Sequence, residues 1–166
     1  MAEDRRFRKK LTERQKRANS LVCVGLDPLI ERMPSRFLEM GCAVHVALYL
    51  WMMGVIDDTE HAASMFKFQH AHWEAIPDGL GVLKMLIGYI HANHPDIPVM
   101  VDCKRGDIDR TQRLYGNTHL GLENADGMNF VGYMGKDTLM SLIDEKRPGR
   151  ALVGLGRTSN KEAWVI

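Results

Sequence analysis

The sequence predicts an α/β protein in which helices cover a parallel β-sheet. Five short apolar segments alternate with longer stretches of helical length, and they lie at residues 21–26, 64–69, 98–102, 126–131 and 150–155. This alternation indicates a parallel sheet, because two parallel strands need a long crossover that is usually a helix. The nearly continuous apolar character of each segment predicts strands that are covered on both faces. The alternation by itself leaves an open doubly wound sheet and a barrel as alternatives.

Helices are expected before and between these strands. They are predicted at residues 1–19, 42–57, 70–92, 108–124 and 135–146, and the Pro-Asp-Gly sequence at 77–79 should break the third of them. The first strand is not followed by GxGxxG, and the sequence has no GxxxxGK[ST], so dinucleotide and P-loop sites lose support. Because neither repeats nor low-complexity linkers interrupt the pattern, residues 1–166 are expected to form one domain, with 1–19 as an N-terminal helix.

Length and charge restrict the classes of function. The chain has 166 residues, 45% of them hydrophobic, and its 22 lysines and arginines nearly balance 21 aspartates and glutamates, giving a formal net charge of +1. This charge argues against a dedicated nucleic-acid-binding protein, which usually has a large basic excess. A complete (β/α)8 barrel usually needs roughly 250 residues. A barrel built from this chain is therefore expected to be incomplete.

Cysteine usage and the N-terminus predict a cytoplasmic protein. Cys23, Cys42 and Cys103 form no CxxC pair, which fits reduced thiols better than a disulfide scaffold. The N-terminus lacks the apolar stretch of a secretory signal, and the apolar residues 43–56 are too few to span a membrane. Eight basic residues lie within 5–17, and this pattern favours the solvated face of a surface helix over a patch that binds membrane or RNA.

Polar residues at the carboxyl ends of the predicted strands mark the candidate site, because parallel α/β folds place functional residues there. These residues are Asp27, Lys67, Asp102, Lys104, Asn129, Arg157, Thr158 and Ser159.

The densest polar group follows the third strand. Side chains two residues apart on a strand face the same side, so Asp102 and Lys104 are expected in one pocket, with Asp107 just beyond it. Carboxylates around a lysine keep it protonated, and such a group suits a reaction that forms a carbanion and needs a proton donor. From the spacing alone, a surface salt-bridge cluster in which Asp107 caps the next helix is an equally good alternative.

The segment Asp-Cys-Lys-Arg-Gly-Asp-Ile at 102–108 resembles the DxKxxD signature of the orotidine 5′-monophosphate decarboxylase family. Further segments resemble the same family in the expected order, at 24–28, 66–69, 125–137 and 157–160. The last of these is similar to the longer bacterial branch. The resemblance extends over 21–160 and implies a (β/α)8 TIM barrel, here an incomplete one with about five βα units.

The resemblance also implies a role for each polar residue. Lys104 resembles the proton donor to C6 of the pyrimidine, Asp102 the carboxylate beside the substrate's own carboxylate, and Lys67 the second lysine of the catalytic network. Asp107, followed by Thr111, resembles the residues that this family donates across a homodimer interface into the partner's active site. Contacts to the nucleotide substrate are implied for Asp27, Thr111, Asn129 and Ser159.

The family so implied is a lyase that converts orotidine 5′-monophosphate to UMP and CO2 in pyrimidine biosynthesis, with neither a metal nor an organic cofactor. Its phosphate site lies in the last strands, and no segment here matches the glycine-rich phosphate loop. Three explanations stay open: a fragment of a longer enzyme, a short form completed by another chain or by oligomerisation, and a pseudoenzyme. The isolated chain is expected to decarboxylate its substrate very weakly or not at all.

Two other functions also stay open. A sugar-phosphate aldolase or decarboxylase of the same superfamily would use a similar motif together with Mg²⁺. A non-catalytic interaction module would use the basic N-terminal helix to bind an acidic partner. No metal site is expected from the histidines, because His70 and His72 do not share a helix face and no carboxylate completes a set with His91 and His94.

Overall fold

A single sheet of five parallel strands organises the computed structural model, which describes residues 6–143 and 147–163. The strands are β1 (Cys23–Leu26), β2 (Met65–Gln69), β3 (Val99–Arg105), β4 (Gly127–Phe130) and β5 (Ala151–Gly154). Their order in space follows the chain from β1 to β5, and each neighbouring pair is parallel. A doubly wound sheet reverses its order at a switch point, so this uninterrupted order favours the barrel. The predicted α/β class is confirmed.

The helices lie between the strands, as the alternation predicts. Within the described ranges they are α1 (Arg6–Ala18), α2 (Ser35–Leu38), α3 (Val44–Thr59), α4 (His70–Glu74), α5 (Gly79–Asn93), α6 (Asp109–Gly116) and α7 (Lys136–Leu142). The predicted break at 77–79 separates α4 from α5, and Asp78 adopts a left-handed φ of 59° there. Helix α2 was not predicted. The end of the predicted 135–146 helix, residues 144–146, lies outside the described residues.

The two faces of the sheet differ in chemistry. Phe66, Phe68, Val99 and Val101 are fully buried on the outer face, in the hydrophobic core shared with the helices. The alternate positions form the inner face, and towards the carboxyl ends of the strands they are Gly25, Lys67, Gln69, Asp102 and Asn129. The prediction of strands covered on both faces is correct for β4, which is buried at all four positions. It is wrong for β1 and β2, whose inner-face positions are exposed or half-buried.

Helices α3 and α5 cover much of the outer face. Their buried residues recur every four positions, as in Leu48, Met52 and Ile56 on α3 and in Leu83 and Ile87 on α5. This spacing gives each helix an apolar stripe that faces the sheet. Each fully buried leucine or isoleucine stabilises the fold by roughly 1.5–3 kcal/mol relative to an exposed one. No helix in the two described ranges is long and apolar enough to cross a bilayer.

Helix α1 crosses the amino ends of the strands and is anchored there by arginine. Arg14 is only 7% exposed, and its Nε donates to the carbonyl of Ala63 at 2.9 Å. Its guanidinium also bonds to the carbonyl of Glu60 and to the carboxylate of Asp96 at 2.8 Å, and Arg17 contacts the same carboxylate at 2.9 Å. The basic run is thus only in part a solvated face, since two of its arginines hold the helix to the body.

Replacing Arg14 tests this anchor. We expect Arg14→Met to lower the free energy of unfolding by about 2–3 kcal/mol, because it leaves two carbonyls and part of a carboxylate without their donor. Urea unfolding at neutral pH measures the change. The control is Arg8→Met on the exposed side of the same helix, which should stay within about 0.5 kcal/mol of the parent. Equal losses in the two variants would show that Arg14 does not anchor α1.

Candidate active site

Four side chains of alternating charge meet at the carboxyl ends of β1, β2 and β3. Lys67 Nζ lies 3.4 Å from Asp27 Oδ1 and 3.7 Å from Asp102 Oδ2. Lys104 Nζ lies 2.6 Å from Asp102 Oδ1. The structure therefore brings together Asp27, Lys67, Asp102 and Lys104, which are separated by up to 77 positions in the chain (104 − 27). We call these four residues the charged network.

Burial is uneven within the charged network. The side chain of Asp102 is 15% exposed, that of Lys67 is 25% exposed and that of Lys104 is 42% exposed. The side chain of Asp27 is 38% exposed, so the network is closed at its centre and open at both ends, Asp27 and Lys104. Lys67 lies on an interior strand of the sheet, because β2 pairs with both β1 and β3. Its side chain reaches across the inner face to both aspartates.

Gln69 belongs to the same site, although no role was predicted for it from the sequence. Its backbone N–H donates to Asp27 Oδ1 at 3.1 Å, and its Nε2 donates to Asp102 Oδ2 at 3.3 Å. Gln69 follows Lys67 by two residues on β2 and faces the same side of the sheet. That spacing is the signal from which it could have been found.

The pKa of Asp102 lies below its usual range. Burial alone would raise this pKa, but hydrogen bonds from Lys104 and Asn129, together with the positive charge of Lys67, outweigh the burial. Asp102 is therefore a carboxylate at neutral pH. The site presents a fixed negative charge directly beside the Lys104 ammonium, which is one of the two open ends of the network.

Asn129 on β4 is turned towards β3. Its Nδ2 donates to Asp102 Oδ1 at 2.5 Å, and its Oδ1 accepts from the backbone N–H groups of Cys103 and Lys104 at 2.8 and 2.6 Å. Lys104 has a positive φ of 46°, and the register between β3 and β4 shifts at this point. Asp102 and Lys104 do lie together, as expected. Regular strand alternation is not the reason, however, because the backbone of β3 is irregular between them.

Three other predicted site residues lie apart from the charged network. Asp107 Oδ1 accepts from the N–H of Ile108 at 2.7 Å, and helix α6 begins only at Asp109, so the alternative of Asp107 as its capping residue is wrong. Thr111 lies in the first turn of α6, and Ser159 is exposed beyond β5. Across residues 6–143 and 147–163, no hydrogen bond or ion pair found here joins these three side chains to the network.

A second polar cluster surrounds Glu123, and its three central side chains, His70, His119 and Glu123, are buried. Glu123 accepts from His70 Nε2 at 2.9 Å and from His119 Nδ1 at 2.8 Å. Arg105 Nε lies 3.2 Å from His119 Nε2, and its terminal nitrogen lies 2.7 Å from Glu74. Because His70 and Glu123 are 53 positions apart, sequence spacing could not reveal this cluster.

The donor set of this cluster resembles a metal site, since His70, His119 and Glu123 each offer a ligand atom within 4.8 Å of the others. Arg105 can only donate, so the His119 nitrogen that faces it accepts, and the His119 proton lies on the nitrogen that faces Glu123. A metal bound between the rings and the carboxylate would need a lone pair where that proton lies. The geometry therefore favours a hydrogen-bonded network that braces β3, α4 and the π-helical segment Asn117–Leu122.

Glu123 makes the stability of this cluster depend on pH. Burial would raise its pKa, but hydrogen bonds from His119 and His70 lower it from 4.5 to about 2. Since the folded-state pKa is depressed, the stabilisation is present above about pH 4.5 and is lost as the pH falls towards 2.

Glu123→Gln tests that dependence. At pH 7 we expect it to cost about 2–4 kcal/mol of unfolding free energy, because the amide cannot accept from both imidazoles as a carboxylate does. The difference from the parent should shrink at pH 3, where the parent has lost part of its own contribution. Urea unfolding at both pH values measures it, with the exposed Glu39→Gln as control. A difference that does not change with pH would contradict this role.

Comparison with known proteins identifies the family to which this sequence is similar. The model of the "Orotidine 5'-phosphate decarboxylase / HUMPS family" matches residues 20–164. The curated orotidine 5′-phosphate decarboxylases of Ralstonia nicotianae and Christiangramia forsetii are 35% and 33% identical to the chain over 155 residues. In each case the match covers 93% of this chain and 55% of the relative.

Solved structures give the same result for the fold. Leishmania donovani OMP decarboxylase superposes with a TM-score of 0.76 at 30% identity, covering 96% of this chain and 56% of that one. Plasmodium berghei orotidine 5′-monophosphate decarboxylase superposes with a TM-score of 0.83 over 96% of this chain and 63% of that one, and its 21% identity supports the fold alone. The chain spans about half the length of the curated relatives it matches. Since the family model covers most of its residues, the chain belongs to the orotidine 5′-phosphate decarboxylase / HUMPS family.

Proposed function

We propose that this chain carries the proton-transfer half of an orotidine 5′-monophosphate decarboxylase, a carboxy-lyase that forms UMP and CO2 in pyrimidine biosynthesis without a metal or organic cofactor. The observation that carries the proposal is the contact of 2.6 Å between Lys104 Nζ and Asp102 Oδ1 within a network of alternating charge. Family membership supports the same chemistry. The three free thiols fit a reducing compartment, and we propose the cytoplasm.

The reaction breaks the bond between C6 of the pyrimidine and its carboxylate carbon. The bonding electron pair stays on C6, CO2 leaves, and the Lys104 ammonium gives its proton to C6 to complete UMP. Lys104 then regains a proton from solvent, which its 42% exposure allows. Because the ring offers no conjugated sink for this electron pair, preorganised positive charge has to stabilise it.

Asp102 contributes by its position. A substrate carboxylate next to this ionised side chain is destabilised by like charge, and that repulsion disappears when CO2 leaves. Asp102 also holds the Lys104 ammonium in place through their direct contact. Lys67 balances the charge of Asp102 from the other side, so the site holds an anionic substrate without an excess of negative charge.

The remaining substrate contacts are proposed from the family resemblance. Asp27 at the end of β1 and Thr111 on α6 would bind the ribose, and Ser159 would bind the pyrimidine ring. Asp107 would act in the active site of a partner subunit. The phosphate would bind outside the five strands described here, so we propose that the isolated chain turns over its substrate very weakly or not at all.

The loss of orotidine 5′-monophosphate absorbance tests this proposal in two proteins. The purified chain should show little or no turnover, and turnover near that of the family would contradict its dependence on a phosphate-binding end. Joining the chain to the part of the Ralstonia nicotianae relative that the match does not cover should give decarboxylation. In that chimera Lys104→Ala should lower kcat/KM by about a thousandfold or more.

The matched control in the chimera is Lys84→Ala, an exposed lysine on α5 away from the strand ends, which should keep full activity. A folded chimera that is inactive, or one in which Lys104→Ala has no effect, would contradict the proposed role of the charged network. A chelator should not change the rate. Loss of activity with chelator would favour the Mg²⁺-dependent sugar-phosphate enzyme instead.

The interaction-module alternative receives less support. Arg14 and Arg17 of the basic helix pair with Asp96, and Lys10 pairs with Asp126 at 3.1 Å, so this part of the helix is directed at the body of the protein. An acidic partner would have to compete with those contacts. Salt-sensitive binding that is lost on deleting residues 1–17 would favour the alternative.

We also propose a homodimer in which α6 and the segment after β4 face the partner. Apolar side chains are exposed around Asp107 and Thr111, and they are Ile108, Leu114, Tyr133 and Met134. Exposed apolar residues grouped in this way are typical of protein interfaces. Such an interface would place Asp107 and Thr111 near a second copy of the chain.

Analytical ultracentrifugation tests the dimer. We expect the parent chain to sediment as a dimer and Leu114→Glu to raise its dissociation constant about tenfold or more, because a charge would be buried in the interface. The control is Met85→Glu on α5, since Met85 is 57% exposed and Leu114 is 55% exposed. A monomeric parent, or equal effects of the two substitutions, would contradict the proposed interface.

A further inference from the structure

The backbone of β3 leaves regular strand geometry at the lysine of the charged network. Lys104 has a φ of 46°, in the left-handed region that residues other than glycine rarely adopt. The register between β3 and β4 shifts between Val101 and Arg105, so the ladder is interrupted where the network is attached. A backbone in this conformation persists only where its surroundings hold it.

One side chain bonds to all three residues of the interrupted segment. Asn129 Oδ1 accepts from the N–H groups of Cys103 and Lys104 at 2.8 and 2.6 Å, and its Nδ2 donates to Asp102 Oδ1 at 2.5 Å. Asn129 is 4% exposed, so water competes little for these bonds. An amide oxygen has two lone pairs, and both are used here.

This bonding argues against a substrate contact as the main role of Asn129, which the family resemblance implied. Only one amide N–H remains beyond the three hydrogen bonds to the protein. The amide instead fixes two directions at once. Its oxygen sets the course of the backbone at Lys104, and its nitrogen sets the orientation of the Asp102 carboxylate.

We infer that Asn129 is a positioning residue, whose amide holds the interrupted segment of β3 so that the Lys104 ammonium and the Asp102 carboxylate face each other in the site. The inference rests on the proposed function, since that function is what makes the placement of Lys104 important. The geometry that Asn129 imposes on Lys104 and Asp102 can, however, be measured without substrate.

Amide hydrogen exchange in the full chain, followed by NMR, tests the backbone part. In Asn129→Leu the amides of Cys103 and Lys104 should exchange about tenfold faster or more, since each loses its acceptor. The ¹³C chemical shifts of Lys104 should no longer be those of a residue with a positive φ. The amide of Phe68 on β2 should keep its rate, and so should all of these amides in the control Asn93→Leu, an exposed position at the end of α5. Unchanged exchange at Cys103 and Lys104 would overturn the inference.

Asn129→Asp tests the carboxylate part and remains decisive if the leucine variant fails to fold. Its oxygens can still accept from Cys103 and Lys104, so exchange at those amides should stay slow. The new carboxylate can no longer donate a hydrogen bond to Asp102, and it places a second negative charge beside it. The titration midpoint of Asp102, followed by NMR at its side-chain carboxyl carbon, should therefore move to higher pH. Fast exchange at the two amides, or an Asp102 midpoint equal to that of the parent, would overturn the inference.

These readouts separate the inference from the proposed function. The Asn129 variants could show the expected changes in exchange and titration while the chimera does not decarboxylate. That result would contradict the proposed function and leave the positioning role intact. An active chimera in which Asn129→Asp keeps the parent kcat would count against positioning. The expected result is a lower kcat with little change in KM, because Asn129 acts on the proton donor and not on the bound substrate.

Discussion

The carboxylate of Asp102 constrains the whole carboxyl rim of the sheet. A charge that is largely shielded from water has to be compensated by cations and hydrogen-bond donors at short range. Lys104 and Lys67 supply the cations, while Gln69 and Asn129 supply amide donors from the strands on either side. These donors can converge because the strands are parallel and in sequential order, which places all their carboxyl ends at one rim. The pairing of β3 with both neighbours is thus a condition for the site.

A second half-buried carboxylate, that of Asp126, is compensated at the opposite rim of the sheet, where the amino ends of the strands lie. The carboxylate of Asp126, just before β4, is contacted by the side-chain nitrogens of Lys10, His91 and Arg150. Burial would raise its pKa, yet the hydrogen bond from His91 and the charge of Lys10 lower it to about 2. This centre is closed by α1 and joins elements to one another, whereas the charged network stays open at Lys104. The division agrees with the barrel rule that the amino-end face serves stability and the carboxyl-end face serves chemistry.

Much of the fold could be predicted because the signals are local. The apolar runs place the five strands within a few residues of their observed bounds, and the Pro-Asp-Gly sequence separates α4 from α5. Lys67 attracts notice because a charged residue inside an apolar strand has to point away from the helices. The first residue of a strand depends on pairing with the neighbouring strand, which the sequence does not show. Strand β1 begins at Cys23, because Leu21 is 79% exposed and lies before the residues that pair with β2. The π-helical segment that carries His119 has no pattern of its own that distinguishes it from an α-helix.

The α/β class, the chain order of the strands and the charged residues at their ends could all be predicted from the sequence, because apolar periodicity and residue chemistry are local properties of the chain. Three features became visible only in the folded chain: Gln69 joins the site, Asn129 bonds to the irregular backbone at Lys104, and a buried cluster forms from His70, His119 and Glu123. Each of these depends on hydrogen bonds between segments distant in the chain. The register and close packing of the strands and helices set such bonds, and no local pattern of residues specifies them.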